Sequence, residues 1–329
     1  MTTRFTVPVL LLLGSLCVLP ARLAAEDDKE KKPAATRPVI SEEVAPLEAI
    51  APVAKDGHKG EAYLRKPPGK GPFPAVVLVH GGIVQRTTVE LKASARGTWA
   101  SRYLAAGYVV AVTTWRSRDI DPQTRESPDD VLAVVEYVRK LSYVDPKSVV
   151  VNGCSAGGGL ALEVAAEIDV AVIVTEEPAL YAFTGVFNKD SPKKGERFTT
   201  EDTRPIGADP KKYYTPEYQK RTREKLARIK CPIVLVQGDK GEHNFTKEVL
   251  YPELQFLNKN NVVVLTYTGQ PHCFAFYSAP GRTPQPAVAE NAFEDVSALM
   301  RRHLPTKPTP IDPNLVNQAP FDRFGPGGR

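Results

Sequence analysis

Gly153-Cys154-Ser155-Ala156-Gly157 is the most chemically pointed segment of the chain. It follows the β-branched run Val149-Val150-Val151 and leads into Gly158-Gly159, so strand, tight turn and helix are expected in immediate succession. The central residue of such a turn is forced into a strained backbone conformation and stands clear of the sheet edge. Small neighbours let strand and helix approach closely. Ser155 is therefore a candidate nucleophile, and the Ala156 N–H, at the start of the following helix, a candidate donor to the same space. The competing reading is a glycine-rich turn in an inactive α/β protein.

A serine hydroxyl at neutral pH needs a general base within hydrogen-bond reach, and the base needs a third group to orient it. Of the five histidines, His272 has the best setting: it follows the apolar run Val262–Tyr267 and the loop Thr268-Gly269-Gln270-Pro271. His80, in His80-Gly81-Gly82, reads as a prop for its own loop, and His58 and His303 have no supporting context. The acid is expected at a strand end between serine and histidine. Ile233–Val236 runs into Gln237-Gly238-Asp239-Lys240-Gly241-Glu242, which supplies two acids. Glu242, further out, is favoured over Asp239, which could simply shape the turn. Glu176 or Glu177, after the strand ending at Val174, is a third option. An attacked carbonyl also needs preorganised donors for its developing oxyanion. Besides Ala156, the His80-Gly81-Gly82-Ile83 loop can supply one from Gly82 or Ile83.

These residues require elements to position them. Ala75–His80 is a short continuous apolar run, as expected of a parallel strand buried on both faces. Similar runs recur at Tyr108–Thr113, Val149–Val151, Val170–Val174, Ile233–Val236 and Val262–Tyr267. Helical patterns alternate with them at 98–106, from Ser127-Pro128-Asp129-Asp130 through Leu141, and at 158–168, 247–257 and 288–303, with Ser127 as an expected cap. Strand–helix alternation predicts right-handed crossovers and a doubly wound, mostly parallel sheet. Residues 179–230, rich in Lys and Arg and broken by Pro and Gly, are too long for a plain connection and are expected to form a cap-like insertion or lid.

Arg4, the apolar stretch Val7–Leu19 and the small residues Ala24-Ala25 read as a cleaved secretory signal over residues 1–25. Residues 26–45 read as a disordered leader, 46–304 as the folded domain and 305–329 as a Pro/Gly-rich tail outside the core. The protein is thus expected to be secreted or periplasmic, with no stable membrane span after cleavage. A formal net charge of +5 over 329 residues, without a basic stripe interleaved with aromatics, argues against a nucleic-acid partner. No histidine pair has ligand spacing and no Cys-x-x-Cys occurs, so no metal or cofactor is expected. After cleavage Cys154, Cys231 and Cys273 remain, an odd number that cannot form a full disulfide framework, and buried free thiols are expected over a Cys154–Cys273 bridge.

The chain resembles the α/β-hydrolase superfamily. It looks most like the branch holding dienelactone hydrolases, acetyl-xylan-type esterases and the catalytic domain of prolyl oligopeptidases. The residues that carry the likeness are His80-Gly81-Gly82, Asp145–Val149 leading into Gly153–Gly158, Gln237-Gly238-Asp239 and Pro271-His272-Cys273-Phe274. Two departures stand out. Prolyl oligopeptidase-like enzymes usually carry an aspartate where this chain has Gly241 or Glu242. Dienelactone hydrolases have cysteine at the elbow centre, where this chain has Ser155. The resemblance implies a serine hydrolase that cleaves a small-molecule or saccharide ester through an acyl-enzyme. The alternatives are a serine exopeptidase, for which Glu176-Glu177 could hold a peptide's amino terminus, and an inactive binding protein on the same fold.

Overall fold

The computed structural model describes residues 18–20, 36–82, 85–116, 125–186, 200–240, 244–275 and 286–320. In chain order the elements begin with β1 (Val18–Pro20), β2 (Thr36–Val39), β3 (Glu48–Ile50), β4 (Ala62–Arg65) and β5 (Phe73–Val79). Next come α1 (Thr88–Arg96), α2 (Thr98–Ala105), β6 (Val109–Thr113), α3 (Glu126–Arg139), β7 (Val144–Cys154), α4 (Ala156–Glu167) and β8 (Val172–Glu176). The insertion holds α5 (Tyr181–Thr184), α6 (Thr200–Ala208), α7 (Pro210–Tyr213) and α8 (Pro216–Arg228). The chain closes with β9 (Ile233–Lys240), α9 (Tyr251–Phe256), β10 (Val262–Pro271), α10 (Pro286–His303) and β11 (Asn317–Pro320).

The main sheet runs β1-β10-β9-β8-β7-β5-β6-β4-β3. It is parallel from β1 to β6, and β4 and β3 join antiparallel at one edge. The apolar runs become central strands because they bury both faces. Val76, Val150, Val172 and Val234 point into a core shared with α1, α2 and α10. Val77, Val151, Ile173 and Leu235 point into the opposite core, shared with α3, α4 and α8. This is the expected doubly wound α/β architecture. Parallel strands put all their C-terminal ends along one edge, and the site lies there.

Three local expectations need correction. Residues 36–45 are ordered, not a disordered leader: β2 pairs antiparallel with β11, and the buried Arg65 guanidinium donates to the carbonyls of Ile40 and Ala45. The tail is likewise tied in, with the Ile311 N–H donating to Ala105 O at 2.9 Å and Thr306 bonded to Asp145 and Ser148. Ser127 is inside α3, not at its cap: its hydroxyl donates to Arg116 O at 2.8 Å, and Arg125 holds the cap position. The edge strand β1 falls within the stretch read as a signal segment.

Candidate active site

Ser155 sits between β7 and α4 with φ 49° and ψ −118°, the strained turn its flanking glycines predict. The close approach that needs those glycines is measurable. A Cβ on Gly157 would lie 2.3 Å from Val79 O, and one on Gly153 would lie 2.2 Å from Gly157 O. The Ser155 N–H donates to Glu176 O at 2.9 Å, and its carbonyl accepts from Gly159 and Ala179. The backbone of this turn is therefore held from both adjoining elements while the side chain stays half-buried.

His272 follows β10, and its Nδ1 lies 2.9 Å from Oε2 of Glu177, an ion-pair distance rather than an in-line hydrogen bond. Such contacts commonly tighten only in the substrate complex. Glu177 directly follows β8, the strand beside β7, and adopts φ 41°. Its N–H donates to Val236 O. Its carboxylate accepts from Gly238 N–H at Oε1 (3.2 Å) and from Cys273 N–H at Oε2 (2.7 Å). The preceding Glu176 is fully buried and accepts from Ala275 N–H at 2.6 Å. Together the two carboxylates staple the 272–275 turn. Two acids in succession at the end of a Val-Ile-Val-Thr strand are costly to bury unless each finds such donors. That cost is the sequence signal that could have singled them out.

The two acids expected on the β9 loop are placed as follows. Glu242 lies outside the described residues. Asp239 is exposed and accepts from Gly269 N–H at 2.6 Å, which fixes the turn ahead of His272. The carboxylate on His272 is thus Glu177, and the end of β9 steadies that acid through the Gly238 N–H. Gly238 is required there because a Cβ would lie 2.2 Å from Gln270 O.

Of the expected oxyanion donors, Ala156 opens α4 and its N–H is one of the helix's orphan donors. Gly82 has φ 84°, and a Cβ there would meet nothing within 4 Å, so the space on that side of the residue is open. Ile83 lies outside the described residues. The loop lies against the serine turn: a Cβ on Gly81 would be 3.0 Å from Cys154 Sγ and 3.2 Å from Ser155 Cβ.

Cys154, Cys231 and Cys273 are free thiols. Cys273 has φ 56°, and its Sγ lies 3.3 Å from His272 Nε2. It also hydrogen-bonds Cys154, and burial first, then that bond, pushes its thiol well above the usual range. The residue after the base therefore touches the residue before the nucleophile. Among the described residues, four non-glycines have positive φ, and three of them (Ser155, Glu177 and Cys273) belong to this cluster. Such concentration of strain is typical of functional sites. Glu177, His272 and Cys273 also offer O, N and S atoms within 4.8 Å of one another, but Glu177 is already occupied by two backbone N–H groups and the imidazole.

A strained serine at a strand–helix turn, a histidine backed by a buried carboxylate and a glycine loop alongside, all at the carboxyl edge of a doubly wound parallel sheet, are the features of the α/β-hydrolase fold. Residues 63–189 match the BD-FAE family. The chain is also 31% identical over 135 residues to the quorum-quenching protein AidA of Acinetobacter baumannii (strain MDR-ZJ06). That match spans 38% of this chain and 42% of AidA. Among solved structures it is similar to esterase Est22, with TM-score 0.58 and 16% identity over 79% of this chain and 84% of that one. It is similar too to a puromycin-hydrolyzing peptidase of Mycobacterium tuberculosis, with TM-score 0.57 and 18% identity over 82% of this chain and 41% of that one.

Proposed function

We propose that the protein is a serine hydrolase that cleaves carboxylic esters of small molecules or saccharides through Ser155, His272 and Glu177. Ser155 Oγ attacks the ester carbonyl and passes its proton to His272 Nε2. Glu177, beside Nδ1, holds the ring and stabilises the imidazolium. The N–H groups of Ala156 and Gly82 stabilise the oxyanion. The imidazolium then protonates the departing alcohol, leaving an acyl group on Ser155. Water, deprotonated by the same histidine, releases the acid and restores the serine. The signal-like pattern of residues 1–25 supports action outside the cytoplasm.

The observation that carries this reading is the buried Glu177 carboxylate on His272, beside a serine held at φ 49°. The peptidase neighbour keeps a second reading, a serine exopeptidase, in view. The acids that would hold a peptide's amino terminus are Glu176 and Glu177, and both are buried and committed to the 272–275 turn. That favours the ester. A panel of short p-nitrophenyl esters against aminoacyl and dipeptidyl anilides tests the choice, with Ser155→Ala as control. Ester turnover that Ser155→Ala abolishes is expected. Faster anilide turnover would contradict the ester reading.

A further inference from the structure

His80 follows β5 and is the first residue of the glycine loop. Its ring stacks on Trp115 at 5.3 Å with the planes 13° apart. Nδ1 lies 2.9 Å from Gly81 O, and Nε2 lies 3.2 Å from Oγ1 of Thr114, just beyond β6. The same Thr114 hydroxyl accepts from the Arg86 N–H at 2.9 Å. Thr114 therefore clasps both ends of the loop, His80 and Arg86.

The chemistry of these atoms gives the chain a direction. A carbonyl only accepts, so Nδ1 must carry the proton toward Gly81 O. In a neutral imidazole Nε2 is then an acceptor, so the Thr114 hydroxyl must donate to it, which leaves the Thr114 oxygen to accept from Arg86 N–H. All three links are satisfied by one tautomer of neutral His80. Burial supports that state, lowering the His80 pKa to about 4; Arg86 also opposes protonation, while the Gly81 carbonyl and Glu90 favour it. The last link sets a peptide plane. In a trans peptide the C=O of one residue and the N–H of the next point in opposite directions. Holding Gly81 O on the His80 ring therefore turns the Gly82 N–H away from that ring. Gly81 itself packs against Ser155.

We propose that Thr114 and His80 are positioning residues for the reaction: the chain Arg86 N–H, Thr114 O–H, His80 Nδ1–H, Gly81 C=O aims the Gly82 N–H at the oxyanion that forms over Ser155. This rests on the ester reading for its kinetic consequence but not for the hydrogen-bond chain itself, so two measurements separate them. In ¹⁵N-labelled wild-type protein, long-range ¹H–¹⁵N spectra, assigned with His80→Asn, report the tautomer without turnover. His80 with a protonated Nδ1 and a bare Nε2 is the expected result. The Nε2–H tautomer, or a charged ring near neutral pH, overturns the proposal. On the ester turned over fastest in a Ser155-dependent way, Thr114→Val keeps the shape and removes the hydroxyl. It should lower kcat by at least about tenfold with KM little changed, as expected when an oxyanion donor is misaimed. Thr114→Ser, which restores the hydroxyl, should recover most of the loss. Equal kcat in Thr114→Val and wild type, a change confined to KM, or a serine variant no better than valine overturns the kinetic role. If Thr114→Val does not fold, the wild-type tautomer remains decisive, and Thr114→Ala beside Thr114→Ser supplies the kinetic comparison. Absence of any Ser155-dependent hydrolysis would strike the ester reading alone.

Discussion

At the residue scale, the chemistry turns on which carboxylate faces His272. Ser155 and His272 stand out in sequence as candidates because of their settings: a serine centred in small residues after a buried strand, and a histidine beyond another strand. The acid is less legible. Chain order allows a carboxylate after either β8 or β9, and position in sequence does not say which strand end folds over the histidine. The structure places Glu177 there, with two backbone N–H donors on its carboxylate, while Asp239 holds Gly269. Glu177→Gln should keep the fold and lower kcat on esters by between about 10^2- and 10^4-fold. Asp239→Asn, measured beside it, should stay within a few-fold of wild type. Reversal of that order in steady-state kinetics would return the orienting role to the β9 loop.

At the element scale, the alternation of buried strands and amphipathic helices carried the sheet into view, because strands buried on both faces leave uninterrupted apolar runs. The insertion was opaque because its Lys- and Arg-rich pattern fits a solvated face as well as a docked one. Helix α8 proves to be docked on α4. Lys225 pairs with Glu163 and donates to Phe183 O, and Arg228 donates to Ala166 O. Those anchors lie 8 to 11 residues along α4 from Ser155, roughly 12–16 Å at helical rise. This part of the insertion therefore braces the elbow helix from its far end rather than capping the serine. Burial pushes the Glu163 carboxyl up and the Lys225 ammonium down, and each charge is tolerated because of the other. Removing one partner alone is the costly change. Lys225→Met should destabilise the protein by about 3–5 kcal/mol in urea unfolding. The double variant Lys225→Met with Glu163→Leu should recover most of that loss. A single variant as stable as wild type would show that the pair does not hold the two helices together.

At the scale of the whole molecule, the two ends of the described domain close on each other. β2 and β11 form a separate two-stranded sheet, the backbone of residues 306–311 crosses the base of β6 and β7, and Ile311 is buried in the core beside α2 and α10. Pro-rich composition hid this, because a strand that pairs only with another terminus lacks the apolar alternation of a sheet with a buried face. A Cβ on Gly107 would lie 2.0 Å from Thr309 O, so the tail occupies space that only glycine leaves open. Truncation after Leu304 should therefore lower the midpoint of thermal unfolding by several degrees, on the order of 1–3 kcal/mol of stability. An unchanged midpoint would mean that the tail rests on the domain without supporting it. The sheet, its two helical layers and the closed ends all serve to hold the edge of parallel strands that carries Ser155, His272 and Glu177, and a covalent probe interrogates that edge in the intact protein. A fluorophosphonate, followed by intact mass and peptide mapping, should add one phosphonyl group at Ser155 in wild type, more slowly in His272→Ala and not at all in Ser155→Ala. Labelling of Ser155→Ala at the wild-type rate, or an adduct mapped to another residue, would contradict the assignment of Ser155 as the nucleophile.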